Sequence, residues 1–309
     1  MQVTNAVILA AGSGTRMGLV GERIPKPMLP VCNRPLIRWH LECLRDAGIR
    51  RVWIVIGHLG HQIIRHVAEQ PVRGLTIEYA EQQQRLGIAH AVGRLDAVLD
   101  EPFLLLLGDV AFEAPRLQED LLNLPEGVGA LLAVKEEPDI AAIRKNFSVH
   151  LDGAARVVRV EEKPRHPVNR LKGCGLYVFT PDIFSAIRRT PRTAARDEYE
   201  ITDSIQLFIE AGHQVQARNV VTWDANLTTP HDLLACNRHH LARHGTLEML
   251  GHGIRLHDGA RIVDSVVGDG ATVEHPIEIR RSLLLPGATV RTRQPLFDAV
   301  AVGGEVLQC

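Results

Sequence analysis

The sequence lacks paired cysteines, a long apolar run, an excess of charge and either of the two common nucleotide-binding fingerprints. Its five cysteines, Cys32, Cys43, Cys174, Cys236 and Cys309, are scattered without a C-x-x-C pair. A disulfide framework is therefore excluded, and a reduced, cytoplasmic protein is the expectation. No stretch has the length and apolarity of a membrane span, and the first residues have a strand-like pattern, unlike a signal peptide. A formal net charge of −1 removes any general electrostatic case for nucleic acid or a membrane surface. The histidines come without an H-E-x-x-H or Cys/His zinc pattern. His58, His61 and His66, like His239, His240 and His244, are expected on solvated helix faces.

What is present begins with the stretch from Ala6 to Pro30, AVILAAGSGTRMGLVGERIPKPMLP. Val7-Ile8-Leu9 is an apolar run of the kind a buried parallel strand uses. It breaks into Ala10-Ala11-Gly12-Ser13-Gly14, where glycines let backbone N–H groups approach a ligand closely. Two cations follow, Arg16 and Lys26. No Gly-Lys-Ser/Thr triplet comes after the loop, so it is not a P-loop. Counting Gly-x-Gly-x-x-Gly from Gly12 puts Met17 at the third glycine, so it is not a dinucleotide fingerprint. A strand entering a glycine loop that carries Arg and Lys is suited to polyphosphate.

Later residues add chemistry. Leu107-Gly108-Asp109 ends FLLLL, the most apolar strand, and ligands sit off the carboxyl ends of strands in open α/β sheets. Asp109 there suits magnesium, which takes carboxylate and phosphate oxygens with water. Gln82 can donate and accept at once, as the imide edge of uracil or thymine requires, and Gly87 opens a helix where a flat base can lie on backbone. Glu161-Glu162-Lys163-Pro164 ends another strand, either as a surface ion pair or as a sugar and phosphate contact.

The segments AVILAAGSGTRM and PKPMLPV resemble the signature of the sugar-1-phosphate nucleotidyltransferases, closest to the glucose-1-phosphate thymidylyltransferase branch. The resemblance covers about the first 240 residues. It implies attack of a sugar-1-phosphate on the α-phosphorus of dTTP or UTP, with pyrophosphate leaving and Mg²⁺ assisting. Arg16, Lys26 and Lys163 take the catalytic roles in this comparison. Ala11, Gly12, Gly14, Thr15, Gln82 and Gly87 hold the nucleotide. Glu162, Gly173, Ser148 and Glu200 face the sugar, with Gly175 also offering backbone. The segment from Glu198 to Asp203 is further expected to cap and anchor the next helix. Asp109 binds the metal. Counting back from Thr229-Pro230 makes Asn226 the second ligand, with Asp224 the alternative. Ser148 stands where the family has Gly after an aromatic residue, which leaves the sugar's identity open. A catalytically silent nucleotide-sugar sensor, a guanylyl or mannose-1-phosphate enzyme, and an added acyltransferase activity in the tail are the other readings.

Strand and helix alternate with short connections through Leu107, the pattern of a doubly wound α/β sheet. Helices are expected at 35–47, 60–69 and 88–99. From Ala130 strands crowd together, which suggests an antiparallel or mixed extension of the sheet as a lid over the sugar. Past residue 245 the rhythm changes again. Val267, Val273, Ile279 and Leu285 recur every six residues, with Gly turns between, the mark of a hexapeptide β-helix of about two coils. The resulting expectation is a Rossmann-like α/β nucleotidyltransferase fold over 1–245 and a short left-handed β-helix over 246–309. Exposed edges on so short a helix point to packing on the main domain or on another subunit, and a homo-oligomer is the expectation. The expected ligands are a nucleoside triphosphate and a sugar-1-phosphate.

Overall fold

A computed structural model describes every residue of the chain except 195 and 196. Its contacts divide it into two compact units, Met1–Gly12 with His40–Asp224, and Ser13–Trp39 with Ala225–Cys309. The change of strand rhythm near residue 245 does not coincide with this division, because the second unit takes in the segment from Ser13 to Trp39.

The first unit is built on a nine-stranded sheet. In chain order its strands are β1 (Asn5–Ala10), β2 (Arg51–Ile56), β3 (Thr76–Glu81), β4 (Phe103–Leu107), β5 (Val128–Glu136), β6 (Phe147–Leu151), β7 (Val157–Glu162), β8 (Leu171–Phe179) and β9 (Gln214–Asn219). Their order is β7-β6-β8-β4-β1-β2-β3, with β5 pairing β8 and β9. Strands β4, β1, β2 and β3 are mutually parallel. β8 is antiparallel to β4, and β5 and β6 are antiparallel to β8. The sheet is thus doubly wound on one side and extended by crowded strands on the other.

β1 has a strand neighbour on each side, and the helix Ile88–Gly93 packs against it; Ala6, Val7 and Ile8 are fully buried. The same holds for Phe103 to Leu106 of β4. Strands buried on both faces read as unbroken apolar runs, and each such side chain contributes about 1.5–3 kcal/mol of burial. One helix departs from expectation. The expected 88–99 helix is α-helical only over Ile88–Gly93 and continues as turns. Gly93 packs against Ile187, where a Cβ would come within 3.2 Å of its Cγ2.

In the second unit, parallel strands stack into three faces of a short β-helix. Met249 stands on Val266, Val266 on Leu283 and Leu283 on Val300, so each coil takes 17 residues and three turns are complete. The six-residue beat holds on two faces of each coil, Val267 to Val273 to Ile279. The third side is one residue shorter. Val267 therefore stacks on Leu284, and Leu284 takes the core place expected for Leu285. The tail has more coils than the two expected. Its interior is a column of Val267, Val273, Ile279, Leu284, Val290 and Leu296.

The segment from Ser13 to Trp39 belongs to this unit. Thr15–Met17 and Lys26–Met28 are single 3₁₀ turns, separated by a short helix, Leu19–Arg23. Gly21 of that helix lies directly on the Gly14 turn. A Cβ at Gly21 would fall 2.2 Å from the Gly14 carbonyl oxygen, which is backbone and has no way to swing aside. Gly21→Ala should therefore displace the Gly14 turn and cost about 1–3 kcal/mol, the usual range for overpacking. Thermal unfolding checks this, and an unchanged Tm would show that the turn yields freely.

Candidate active site

In the first unit the carboxyl ends of the parallel strands carry the predicted ligand-facing residues. β1 ends at Ala10 and delivers the buried Ala11 and the exposed Gly12. β4 ends at Leu107 and delivers Gly108 and the half-buried Asp109. The Gly108 N–H donates to Leu9 O at 2.9 Å, which ties the two strand ends together. β3 ends at Glu81 and delivers Gln82. The carboxyl edge of such a sheet is where ligands bind.

The Asp109 turn has a support that sequence reasoning passed over. His40, on the helix Leu36–Asp46, is buried, and its Nε2 lies 2.8 Å from Val110 O. A carbonyl only accepts, so Nε2 carries the proton and Nδ1 is the unprotonated nitrogen. The ring stacks on Phe112 at 5.9 Å. Burial pushes the imidazole down to about 4, against the bond to Val110 and the Asp109 charge, which pull it up. An unfolded histidine titrates near 6.5. Between these values the unfolded chain binds the proton and the folded one does not. Stability from the neutral ring is complete above about pH 6.5 and falls by roughly 3 kcal/mol as pH drops toward 4. His40→Gln keeps an N–H donor for Val110 without a titrating group. The slope of Tm against pH across that window should flatten in this variant, and an unaltered slope would contradict the assignment.

Gln82 is buried, and its amide nitrogen lies 3.4 Å from Gly87 O and 3.3 Å from His90 Nδ1. Gly87 takes φ +103° at the start of the helix Ile88–Gly93. Tyr199 closes behind it. The Tyr199 N–H donates to Leu86 O at 2.7 Å, and Tyr199 O accepts from Ala89 N–H at 3.0 Å. The Gln82 and Gly87 pair singled out in the sequence is thus one local structure.

Glu162 ends β7. Lys163 follows at φ +45°, its N–H donating to Asn146 O at 2.7 Å. The Lys163 ammonium sits 3.4 Å from Glu162 Oε1 at an exposed position, an ion pair worth little by itself. Glu200 is 4 % exposed at the N-cap of the helix Ile201–Glu210. Its side chain makes no capping bond there. Burial pushes the Tyr177 hydroxyl well above its usual range, and the fields of Glu162, Cys174 and Glu200 add to that. The two carboxylates therefore both act electrostatically on one buried tyrosine.

Gly173 and Ser148 sit on the adjacent strands β8 and β6. A Cβ at Gly173 would enter the Phe147 ring, 1.8 Å from Cζ. Gly173 is thus required by packing, whatever else its backbone does. Ser148 is fully buried, with Oγ 3.4 Å from His150 Nε2.

Asp224 is engaged otherwise than a metal ligand. Its carboxylate, 1 % exposed, accepts from Lys172 Nζ at 2.7 and 2.8 Å and is paired with Lys135 Nζ at 2.8 Å. Glu137 joins both lysines, at 3.0 Å from Lys135 and 3.5 Å from Lys172. Burial opposes the charges here, but the bonds and fields of the partners outweigh it, so Lys135 is raised and Glu137 lowered. Two ammonium groups and two carboxylates balance one another, and both Asp224 oxygens are committed.

In the second unit, Gly14 takes φ +66° ahead of the turn that carries Thr15 and the exposed Arg16. Lys26 is 8 % exposed, and its Cγ lies 3.8 Å from where a Gly14 side chain would begin. The structure thus brings Gly14 and Lys26 together. Asn226 is half-buried, three residues before the Thr229–Asp232 capping box that starts the helix Pro230–Arg243.

Among the described residues no three His, Cys, Asp or Glu side chains group to hold a metal. Asp109 at a strand end fits a cation that takes few protein ligands and completes its shell with phosphate and water, as Mg²⁺ does. No helix of the described residues is long and apolar enough to cross a membrane.

Residues 5–240 match the family described as nucleotidyl transferase. The UTP–glucose-1-phosphate uridylyltransferase AglF of Haloferax volcanii is 34% identical over 74% of this chain and 92% of its own length. A glucose-1-phosphate thymidylyltransferase of Streptomyces antibioticus is 32% identical over 92% of this chain and 82% of its own. A UDP-glucose pyrophosphorylase solved with UDP-glucose shares the fold, with a TM-score of 0.65 and 21% identity over 78% of this chain and 99% of its own. With its glycine loop, its parallel carboxyl edge and a match across 236 of 309 residues, the chain belongs to the nucleotidyl transferase family.

Proposed function

We propose that this protein transfers a nucleotidyl group from dTTP or UTP to a hexose-1-phosphate, glucose-1-phosphate first, giving a nucleoside diphosphate sugar and pyrophosphate. The row of Gly12, Asp109 and Gln82 at the carboxyl edge of β1, β4 and β3 carries this reading. It sets a backbone loop for phosphate, a carboxylate for a hard cation and an amide for a pyrimidine edge along one side of one sheet. The uridylyl- and thymidylyltransferase relatives support it.

A phosphate oxygen of the sugar-1-phosphate attacks the α-phosphorus in line. The bond from that phosphorus to the bridging oxygen of the β-phosphate breaks, and pyrophosphate leaves with the electron pair. The nucleophile is already anionic, so no general base is needed, and catalysis is positioning plus neutralisation of charge. Arg16 and Lys26 hold the β- and γ-phosphates and steady the leaving pyrophosphate. Lys163 holds the sugar phosphate. Glu162 and Glu200 accept hydrogen bonds from hexose hydroxyls, while Gly173 presents backbone. Gln82 and Gly87 hold the base; Ala11, Gly12, Gly14 and Thr15 line the phosphates. Proteins of this family generally use a divalent metal ion. Mg²⁺, held by Asp109 of the first unit, would neutralise phosphate charge. Asp224 is left to its lysines. The buried Ser148 narrows the choice of sugar from below, by packing and not by a free hydroxyl.

Pyrophosphate release measured over four triphosphates and several hexose-1-phosphates with Mg²⁺ tests the reading. Release is expected with dTTP or UTP and glucose-1-phosphate. Binding of nucleotide sugar without release from any pair would instead make the protein a silent sensor. We also propose self-association through the coil edges, where Leu247, Leu250, Phe297 and Val306 are exposed. Sedimentation would show a dimer or larger, and a monomer at high concentration would reject it.

A further inference from the structure

One two-residue turn of the second unit is held from two sides, just downstream of Lys26. Pro30–Val31 pairs antiparallel with Arg34–Pro35 across Cys32–Asn33. Both turn residues have positive φ, 49° and 60°, as a type I′ hairpin requires. Asn adopts this region readily, but Cys does so at a cost, so the turn needs support from outside itself.

Asn237 supplies it. This residue is 1 % exposed on the helix Pro230–Arg243. Its Oδ1 accepts from the Cys32 N–H at 2.8 Å, and its Nδ2 donates to Pro30 O and Leu233 O, both at 2.9 Å. An amide is the one small group that can accept at one atom and donate twice at the other. On the other side, Asn33 Nδ2 donates to Val267 O of the β-helix at 2.9 Å. Little slack separates this clamp from Lys26. Met28 N–H donates to Pro25 O at 2.7 Å, Leu29 N–H to Lys26 O at 3.0 Å, and Leu36 N–H to Leu29 O at 3.0 Å. Pro27 and Pro30 fix φ within the same short span.

We propose that Asn237 is a positioning residue for Lys26: by fixing the Pro30–Asn33 turn it sets where the Lys26 ammonium stands, with the β-helix holding the same turn through Asn33. The proposal rests on Lys26 acting on the triphosphate as described above. It also gives the C-terminal coil a role in the reaction of the first loop.

The test is a double-mutant cycle on the full chain. Asn237→Asp keeps the shape, loses both donated bonds and sets a carboxylate against two carbonyls. Misplacement of a catalytic charge lowers kcat, here by about tenfold or more, while the KM for sugar-1-phosphate stays within about twofold. In a Lys26→Ala background the same change should add less than about twofold, because the two residues act as one unit. A purely structural Asn237 would lower Tm and reduce activity equally in both backgrounds, and that additivity would overturn the proposal. Should Asn237→Asp fail to fold, Asn33→Gly takes its place. It keeps the positive φ, removes the bond to Val267 and should show the same non-additivity with a smaller loss. Full turnover in Lys26→Ala would overturn this proposal together with the functional reading. A large loss in Lys26→Ala with additive losses at Asn237 and Asn33 would overturn the positioning role alone.

Discussion

Turnover of a Lys26→Ala protein is expected to fall by about 10²-fold or more, the scale on which preorganised charge stabilisers act. Lys26 is 8 % exposed, its stem lies against the Gly14 turn, and its loop is clamped downstream. A charge fixed this way before substrate arrives does not have to reorganise as negative charge builds on the leaving pyrophosphate. The loss should fall mainly on kcat, and Lys26→Arg should recover little because a planar guanidinium does not replace a point charge on the same stem. Arg16→Ala should lose turnover in the same direction. Arg16 is exposed, so its contribution depends on the bound triphosphate for its order. Steady-state kinetics of pyrophosphate release reads both, and near-normal turnover in Lys26→Ala would contradict the mechanism.

The second large effect is on stability. Asp224→Asn should cost about 3–5 kcal/mol, because removing one partner of a buried ion pair leaves the other charge uncompensated. Lys172 is 4 % exposed and Lys135 16 % in their side chains, so neither can turn fully to water. Glu137 alone would face two ammonium groups. For a chain of this size each kcal/mol moves Tm by about 1.5 °C, so a shift of several degrees should be plain in a melting scan. A metal-ligand role for Asp224 gives the opposite pattern: Tm without metal would hold, and the magnesium dependence of turnover would move. The scan separates the two roles without an activity measurement.

The parts of the fold that were legible in the sequence are those where burial is two-sided. Val7-Ile8-Leu9 and FLLLL announce central parallel strands because every position in them but the half-buried last, Leu9 and Leu107, is fully buried. Gly60–Glu69 was read to the residue because its apolar positions recur at helical spacing. The coil was legible as a six-residue beat, but its 17-residue period was not, since one short side shifts the stack by a single position and swaps Leu285 for Leu284. The candidate ligand residues were legible wherever chemistry and strand ends coincide, as at Asp109, Gln82 and Gly12.

What the sequence did not reveal depends on burial of polar groups by distant segments. Asp224 looks like an available carboxylate until Lys135 and Lys172 arrive from β5 and β8. His40 reads as one more residue on a helix face until its Nε2–H is seen to donate to Val110 O. Glu200 occupies the N-cap position with its side chain buried and without a capping bond. Asn237 had a faint signal. It falls with Leu233 and Leu241 at four-residue spacing on the buried stripe of its helix, where an amide is out of place unless it serves backbone groups elsewhere. Gly21 had none, since its partner is a carbonyl seven residues back.

The central claim is a single in-line displacement at the α-phosphorus, run by fixed charges without a covalent enzyme intermediate. The most direct measurement uses a nucleoside triphosphate made chiral at the α-phosphorus with sulfur, and reads the configuration of the nucleotide sugar by phosphorus NMR. One displacement predicts inversion. Retention would require two displacements and a nucleotidylated residue, and would contradict the account.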